Sequence, residues 1–410
     1  MAEQGSRERE LRKNTFRRNM TVNREPEEET QQEPEKGKGR WRIGLILLAV
    51  FVLLTVFLVY RWEKENGTWK NVKEVWAVSL PDTNFSQFIG TETGVLRCSR
   101  DGAALYDKNG DMVWNQSFEM TNPIVAVNGS RLAIADQKGF TLYLFDEHGL
   151  TGSAQTNLPI SRVAAAGNGV AAVILEDTSA NYISLFAQDG TALDIEVKTI
   201  LAGDGYPIDL SLSEDGTILM ASFAYLNQGM MQNKVVFYNF SEAGKNMVQR
   251  IVGGFQQYES ALVPDVEMLG QKAAVAFADD RISFYSLKNE VSPELVAEIT
   301  AQQEIRSVFV SDTHVGVVFA SGENVRQKEL VVYDSRGREV FRRTTELDYR
   351  QAAFTGDHVV LYHETECEIY SLRGNLRYAG ALSGTITHLS CPGGTWIQIG
   401  GQEMKKLNFQ

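Results

Sequence analysis

The side chains most able to ligate a metal or attack a substrate are five histidines, His148, His314, His358, His363 and His388, and three cysteines, Cys98, Cys367 and Cys391. Their spacing supports neither role. His358 and His363 stand five positions apart without an HExxH pattern on a helix, so the zinc-protease arrangement is missing. The run His363-Glu364-Thr365-Glu366-Cys367 has metal-binding residue types in a row. It falls at a turn, however, and alternate residues of a strand face opposite sides, which makes a polar hairpin the expected reading. Three cysteines with no short paired spacing exclude a cysteine zinc site and a dense disulfide framework, leaving room for one bridge.

Other chemistry is also without its signatures. There is no GxSxG elbow, Walker loop, GxGxxG after a strand or EF-hand loop. Asp279-Asp280 and Asp204-Gly205 have the composition of turns. No catalytic, cofactor-binding or metal-binding residue is assigned, no cofactor is expected, and the chain is not expected to be an enzyme.

The elements that would position any site are short. From residue 72 onward, apolar runs of 4–8 residues alternate with glycine-containing polar turns, which predicts an all-β domain. One phrase recurs: an apolar strand ending in an aromatic, followed by a polar turn centred on glycine or asparagine. It reads ALYDKNG at 104–110, LYLFDEHG at 142–149, ISLFAQDG at 183–190 and VVFYNFSEAG at 235–244, and continues as ISFYSLKN at 282–289, LVVYDSRG at 330–337, EIYSLRG at 368–374 and KKLNF at 405–409. Anchored on Tyr106, Phe145, Phe186, Tyr238, Tyr285, Tyr333, Tyr370 and Leu407, the repeats are 37–52 residues apart, with a mean of 43. That period accommodates four short strands and their turns, which is a propeller blade. Eight blades are predicted, with seven as the alternative if the long third-to-fourth interval conceals a misassignment.

Within the first unit, strands are expected near 86–90, 94–99, 103–107 and 112–118, and within the sixth near 305–311, 315–320, 329–334 and 339–345. The eighth unit supplies only ITHLSC, TWIQIG and KKLNF. Its missing outer strand is predicted to be VKEVWAVSL at 72–80, which resembles DMVWNQSF at 111–118 and would close the ring. Four residues after the turn glycine stand Trp114, Phe341 and Tyr378, with Trp76 at the matching place in the closing strand. Rings at a fixed blade position are expected to pack one blade on the next rather than to stack on a ligand. In the closed ring, Cys98 and Cys391 fall on neighbouring blades, so a disulfide between them and buried free thiols are both open.

The phrase YDKNGDMVW at 106–114 resembles the pyrroloquinoline-quinone-type propeller repeat, and YDSRGREVF at 333–341 and YSLRGNLRY at 370–378 look like degenerate copies. Quinone enzymes of that fold use a stacking Trp, acidic metal ligands and often a vicinal disulfide; that set is not assignable here, since no two cysteines are adjacent. The whole arrangement of tail, anchor and divergent eight-bladed propeller also resembles a family of uncharacterised membrane proteins from clostridia-type Gram-positive bacteria, which brings no activity with it.

Before the repeats, Ile43 to Tyr60 read IGLILLAVFVLLTVFLVY, 18 residues without a charge, enough for a helix of about 27 Å. Trp41, Tyr60 and Trp62 flank it, as interfacial rings do. The run is too long, too far from the N-terminus and too poor in small residues afterwards for a cleaved signal peptide, so an uncleaved anchor is expected. Residues 1–42 carry 11 Lys/Arg and 9 Glu and are expected to form a disordered cytoplasmic tail, with 61–71 a linker and 72–410 an extracytoplasmic propeller. The flanks nearest the helix are balanced in charge. The basic tail sets the orientation, because a long domain crosses largely regardless of charge.

Residues 61–410 hold 29 basic and 43 acidic side chains, an excess that disfavours a nucleic-acid partner. The expected function is a non-catalytic scaffold or receptor at the cell envelope that binds an envelope or membrane protein. A ligand sensor acting through a partner and, further off, a quinone-dependent or other extracytoplasmic enzyme are the alternatives. YLNQGMMQNK at 225–234, the longest irregular stretch, reads as an inserted loop of blade four; for its adjacent pair Met230 and Met231 an adaptable contact surface and a flexible surface hairpin are the two readings, the hairpin being the one expected.

Overall fold

A computed structural model of the protein describes residues 38–81, 86–322 and 326–410. The disordered tail expected before residue 38 lies outside the described residues. The chain divides into two units, ending at Glu65 and beginning at Asn66.

The first unit contains helix α1 (Lys38–Asn66). Its segment Ile43–Tyr60 is long and apolar enough to cross a bilayer, with its large side chains exposed all round. The helix continues past the apolar run into what was expected to be a linker over 61–71.

The second unit is an eight-bladed β-propeller. Among the described residues, 32 strands form eight four-stranded antiparallel sheets. In the first blade, β2 (Gln87–Gly90), β3 (Gly94–Ser99), β4 (Gly102–Asp107) and β5 (Met112–Ser117) pair in chain order. In the sixth, β22 (Ile305–Val310), β23 (His314–Ala320), β24 (Lys328–Asp334) and β25 (Glu339–Thr345) do the same. Both sets fall within a residue or two of the positions expected from the repeat.

The last blade is composite. Strand β1 (Val72–Ser79) pairs antiparallel with β32 (Glu403–Phe409), from Val72↔Phe409 to Ser79↔Glu403, so the sheet order is β1-β32-β31-β30 with β31 (Trp396–Gly400) and β30 (His388–Ser390) inside. The N-terminal strand thus closes the ring. Residues 69–71 extend the closure rather than forming a free linker. Trp69 N–H donates to the Arg377 carbonyl at 2.6 Å, Lys70 and Asn71 donate to the Gln410 carbonyl, and Gln410 N–H donates back to Asn71. The Trp69 ring lies 5.1 Å from Phe409 and 6.1 Å from Trp396, under the Arg377 guanidinium at 4.5 Å.

Eight apolar clusters occupy the eight blade junctions. Alternation along a strand directs side chains to the two neighbours in turn: Leu96, Cys98, Ala103 and Leu105 pack toward the second blade, while Val95, Ala104 and Tyr106 pack toward the eighth. Middle strands are therefore buried on both faces and read as continuous apolar runs.

The recurrent phrase is the device that joins blades. Asp107 Oδ1 accepts from Asn109 N and Asp111 N, and Asp334 Oδ1 accepts from Arg336 N and Arg338 N, which fixes the turn after the third strand. A ring from the preceding blade lies on the turn glycine. A Cβ on Gly110 (φ +86°) would stand 2.8 Å from the Trp76 ring, and one on Gly374 (φ +80°) 2.5 Å from Phe341. Trp114 stacks on Phe145 of the next blade at 4.8 Å, Phe341 faces Tyr370 at 6.4 Å, and Tyr378 meets Phe409 edge-on at 5.1 Å. These aromatics are inter-blade packing, as their fixed position implied.

Blade four is longer than the repeat implies. Residues 225–234 form the expected hairpin, and it is regular rather than an irregular insertion: it is the end of β15 (Ile218–Asn227) and β16 (Met230–Asn239), with Asn227 paired to Met230. Gln228 and Gly229 both take positive φ, 51° and 82°, the two-residue turn that matches strand twist. Each strand has ten residues, against five to seven for second and third strands of other blades.

Deleting residues 72–79 from the full chain should abolish cooperative unfolding of the ring, followed by circular dichroism against temperature; an unchanged transition would refute closure by β1. Replacing the stacked ring in Trp114→Ala should cost about 3–5 kcal/mol in denaturant unfolding, the usual range for a buried aromatic.

Candidate functional site

The first strand of each blade lines the ring axis. Strands β10 (Ile160–Ala165), β14 (Tyr206–Leu212) and β18 (Asp265–Leu269) adjoin one another there. Unlike the middle strands, they carry polar residues on alternate positions: Asp209 and Ser211 on β14, Asp265 and Glu267 on β18. This alternation puts carboxylates and a hydroxyl between two blades near the axis.

Asp209 Oδ2 accepts from Val266 N at 3.0 Å, and Ser211 Oγ accepts from Met268 N at 3.0 Å while donating to Glu267 Oε2 at 3.1 Å. The side chains of one blade thereby satisfy the backbone of the next. The nearest cation is Arg162, whose Nε stands 3.9 Å from Asp209 Oδ1. Burial, then the charge of Asp265, pushes the Asp209 carboxyl up to about 7. Glu267 is raised by burial and by the charges of Asp265 and Asp209, and Asp265 by burial.

These groups adjoin a cavity of about 340 Å³ whose wall includes Asn128, Asp209, Ser211, Glu267 and Asp312. A larger lobe of about 730 Å³ continues from it, sharing Val127, Gly129, Val310, Ser311 and Asp312, and is bounded further by Glu92, Thr355, His388 and Ser390. Turns between first and second strands contribute much of both linings, so the cavity opens on that face of the ring. His388 and Ser390 are buried, and His388 Nε2 and Ser390 Oγ have no hydrogen-bond partner. Burial pushes His388 down to about 4, which keeps the imidazole neutral at ordinary pH.

The residues that prompted chemical questions in the sequence are dispersed. His148 is exposed, His314 Nδ1 meets Thr313 Oγ1 at 2.8 Å, and His358 packs against Trp69 and Trp396. His363 Nδ1 accepts from Thr365 N at 3.2 Å in a hairpin turn, and Glu364 pairs with Arg350, the arrangement expected of a polar hairpin. Among the described residues, no three His, Cys, Asp or Glu stand close enough to share a metal ion. Asp204 Oδ2 caps its own turn by accepting from Ile200 N, and Asp280 pairs with Arg281 at 2.8 Å.

All three cysteines are free and buried. Cys98 packs between blades one and two and Cys391 between blades seven and eight, so the bridge left open by the sequence does not form. Burial pushes their thiols up to about 11 for Cys98 and about 12 for Cys367 and Cys391, far from the reactive thiolate. The axial carboxylates were passed over in the sequence. Their signal was there, in PIDLSL and PDVEML, where acidic residues interrupt strands otherwise apolar.

This geometry, eight sheets around a polar axis with the N-terminal strand in the last blade, defines an eight-bladed propeller with an axial cavity. The chain belongs to DUF5711, a family of unknown function, whose profile matches residues 65–409. Its fold is similar to that of the solved Dos1 propeller, at 12% identity and TM-score 0.52 over 82% of this chain and 95% of that one. BamB from Moraxella catarrhalis aligns at 13% identity and TM-score 0.49, over 83% of this chain and 98% of that one. Chaetomium thermophilum Sqt1, solved bound to the N-terminus of the ribosomal protein L10, aligns at 11% identity and TM-score 0.48, over 84% and 98% of the two chains. A search of curated proteins finds no relative.

A carboxyl whose native pKa lies above its unfolded value opposes folding as pH rises between the two values. Stability should therefore increase as pH falls from 7 toward 5, opposite to a salt-bridged acid, when thermal midpoints are compared. Asp209→Asn should flatten that dependence; an unaltered pH profile would show that the axial group does not titrate as described.

Proposed function

We propose that this chain is a non-catalytic, membrane-anchored propeller that holds a protein partner at the cell envelope, with its N-terminus in the cytoplasm and the ring outside. The observation that carries the binding role is the blade-four hairpin. Residues 225–233 contain no charge, and at the tip Leu226, Met230 and Met231 are 76%, 62% and 53% exposed. Large apolar side chains on a projecting, uncharged hairpin have no use in the fold and fit a protein interface, where methionine adapts to varied surfaces. Lys234 at its base is turned over the rings of Phe223 and Tyr225, at 5.6 and 5.3 Å, and so braces the hairpin.

Support for anchoring comes from the uncharged span Ile43–Tyr60, and support for the orientation from the 11 Lys/Arg of residues 1–42. Support for a non-catalytic role comes from thiols raised by burial and histidines dispersed over separate blades.

A photo-crosslinking residue at position 231 in intact cells should give a discrete adduct with one envelope protein, and the same probe at Glu294 on an outer strand should not. Leu226→Ser with Met230→Ser should weaken that capture roughly 30-fold, as loss of about 2 kcal/mol of hot-spot contact implies. Equal capture from both positions would remove the hairpin from the interface. Proteolysis of the ring from the cytoplasmic side would overturn the orientation.

A further inference from the structure

We infer, resting on the blade-four hairpin as the interface, that its blade-five side receives an apolar segment of another protein flanked by lysine or arginine.

The side follows from the strand pairing. Along β15, Leu219, Ala221 and Phe223 pack toward blade three, while Ile218 and Met220 pack toward blade five. Pairing of β15 with β16 runs unbroken to the tip, so alternation carries the same two sides outward. Leu226 and Met231 stand directly opposite each other and share the blade-five side. Tyr225, Asn227, Met230 and Gln232 share the other, where Gln232 Oε1 accepts from Tyr225 Oη at 3.0 Å and from Asn227 Nδ2 at 3.1 Å. One side of the ribbon thus satisfies its polar groups internally, and the other presents an exposed aliphatic pair.

The floor beside that pair is the connection from blade four to blade five. Asn233 N donates to the Glu259 carbonyl at 3.0 Å and Asn233 Oδ1 accepts from Val263 N at 3.5 Å, which fixes the connection against the base of the ribbon. Leu262 is half-exposed there, and its carbonyl accepts from Asp279 N at 3.0 Å. The Asp279–Arg281 turn of blade five lies against the same connection, with Arg281 Nη1 donating to the Gln257 carbonyl at 3.3 Å. Ribbon, connection and turn therefore form one surface, on the face where second strands turn into third strands.

The rim of this surface is acidic. Glu259 and Asp279 are exposed and form no ion pair among the described residues. Arg281, the cation of the turn, is held by Asp280 at 2.8 Å and by Glu298 at 3.3 Å, which leaves the surface net negative. Lys234 of the hairpin is turned to the opposite side, over Phe223 and Tyr225.

An apolar patch rimmed by one sign of charge favours an occupant of the other sign. The same surface on a second copy would bring the same acids, and an anionic lipid surface the same charge, so both are opposed. A protein segment with an apolar side chain for Leu226 and Met231, and Lys or Arg beside it, meets both halves of the surface. The apolar contact supplies affinity, and the charges set register and speed of encounter.

The test is selection of random dodecapeptides displayed on phage against the full-length protein in detergent, after removal of those that bind the variant Leu226→Ser with Met231→Ser. Surviving peptides should carry Lys or Arg beside a large apolar residue. Their affinity, read by fluorescence anisotropy, should fall about tenfold in Glu259→Gly with Asp279→Asn and stay unchanged in Glu294→Gln. Glycine suits the left-handed backbone at Glu259, φ 48°, and asparagine suits a turn, so a thermal midpoint at the parent value shows that the ring is intact. Survivors without basic residues, or with affinity unchanged in the acid variant, overturn the basic partner and leave the hairpin as an interface. Absence of any survivor overturns both. Self-association of the parent that is abolished by Leu226→Ser with Met231→Ser puts a second copy on this side and overturns the basic partner as well.

Discussion

Everything in the propeller depends on the pairing of β1 with β32. Each sheet is apolar on both faces, so none can stand alone and none can end the series. A linear stack would leave two terminal faces in water. Bending the stack into a ring removes both, provided the last blade is complete, and β32 lacks an outer neighbour until β1 supplies it. Trp69 adds to this bond from outside the strand, covering Phe409 and Trp396 where the first and final stretches of the ring meet.

The architecture was legible because its repeat is written in local chemistry. An aromatic followed by Asp and, three residues later, Gly sets a turn through the Asp107 side chain, and the Gly110 position receives Trp76 from the preceding blade. One short phrase thus encodes a turn and a contact, which is why strand positions could be placed from it. The closing strand was legible for the same reason, since VKEVWAVSL carries the ring without the turn.

Less legible were features whose meaning depends on distant strands. Asp209 and Glu267 are 58 positions apart and look like ordinary polar residues until β14 and β18 are set side by side at the axis. Nor does the repeat describe blade four, where Gln228-Gly229 converts a segment of loop-like composition into a continuous hairpin. Trp69 was hidden differently: it sits between α1 and the first strand, and nothing nearby in sequence announces Arg377 or Phe409 as its neighbours. The hairpin tip and the axial cavity also lie on opposite faces, because one is built from turns between second and third strands and the other from turns between first and second. The ring therefore presents two chemically distinct surfaces, one apolar and projecting, the other polar and recessed.

The pairing of Val72 with Phe409 also imposes an order in time. During synthesis β1 is among the first strands to appear and β32 the last of those described, so the earliest strand waits with an open edge while seven blades assemble. An unpaired edge is a template for wrong partners. The exposed Val75 and Val78 of β1 would be hazards in that interval, and Lys73 and Glu74 beside them are the charges that discourage mispairing. A nascent chain interrupted before β32 has no way to seal its first and last blades, and that makes the arrival of β32 the event by which a closed ring differs from an open fragment.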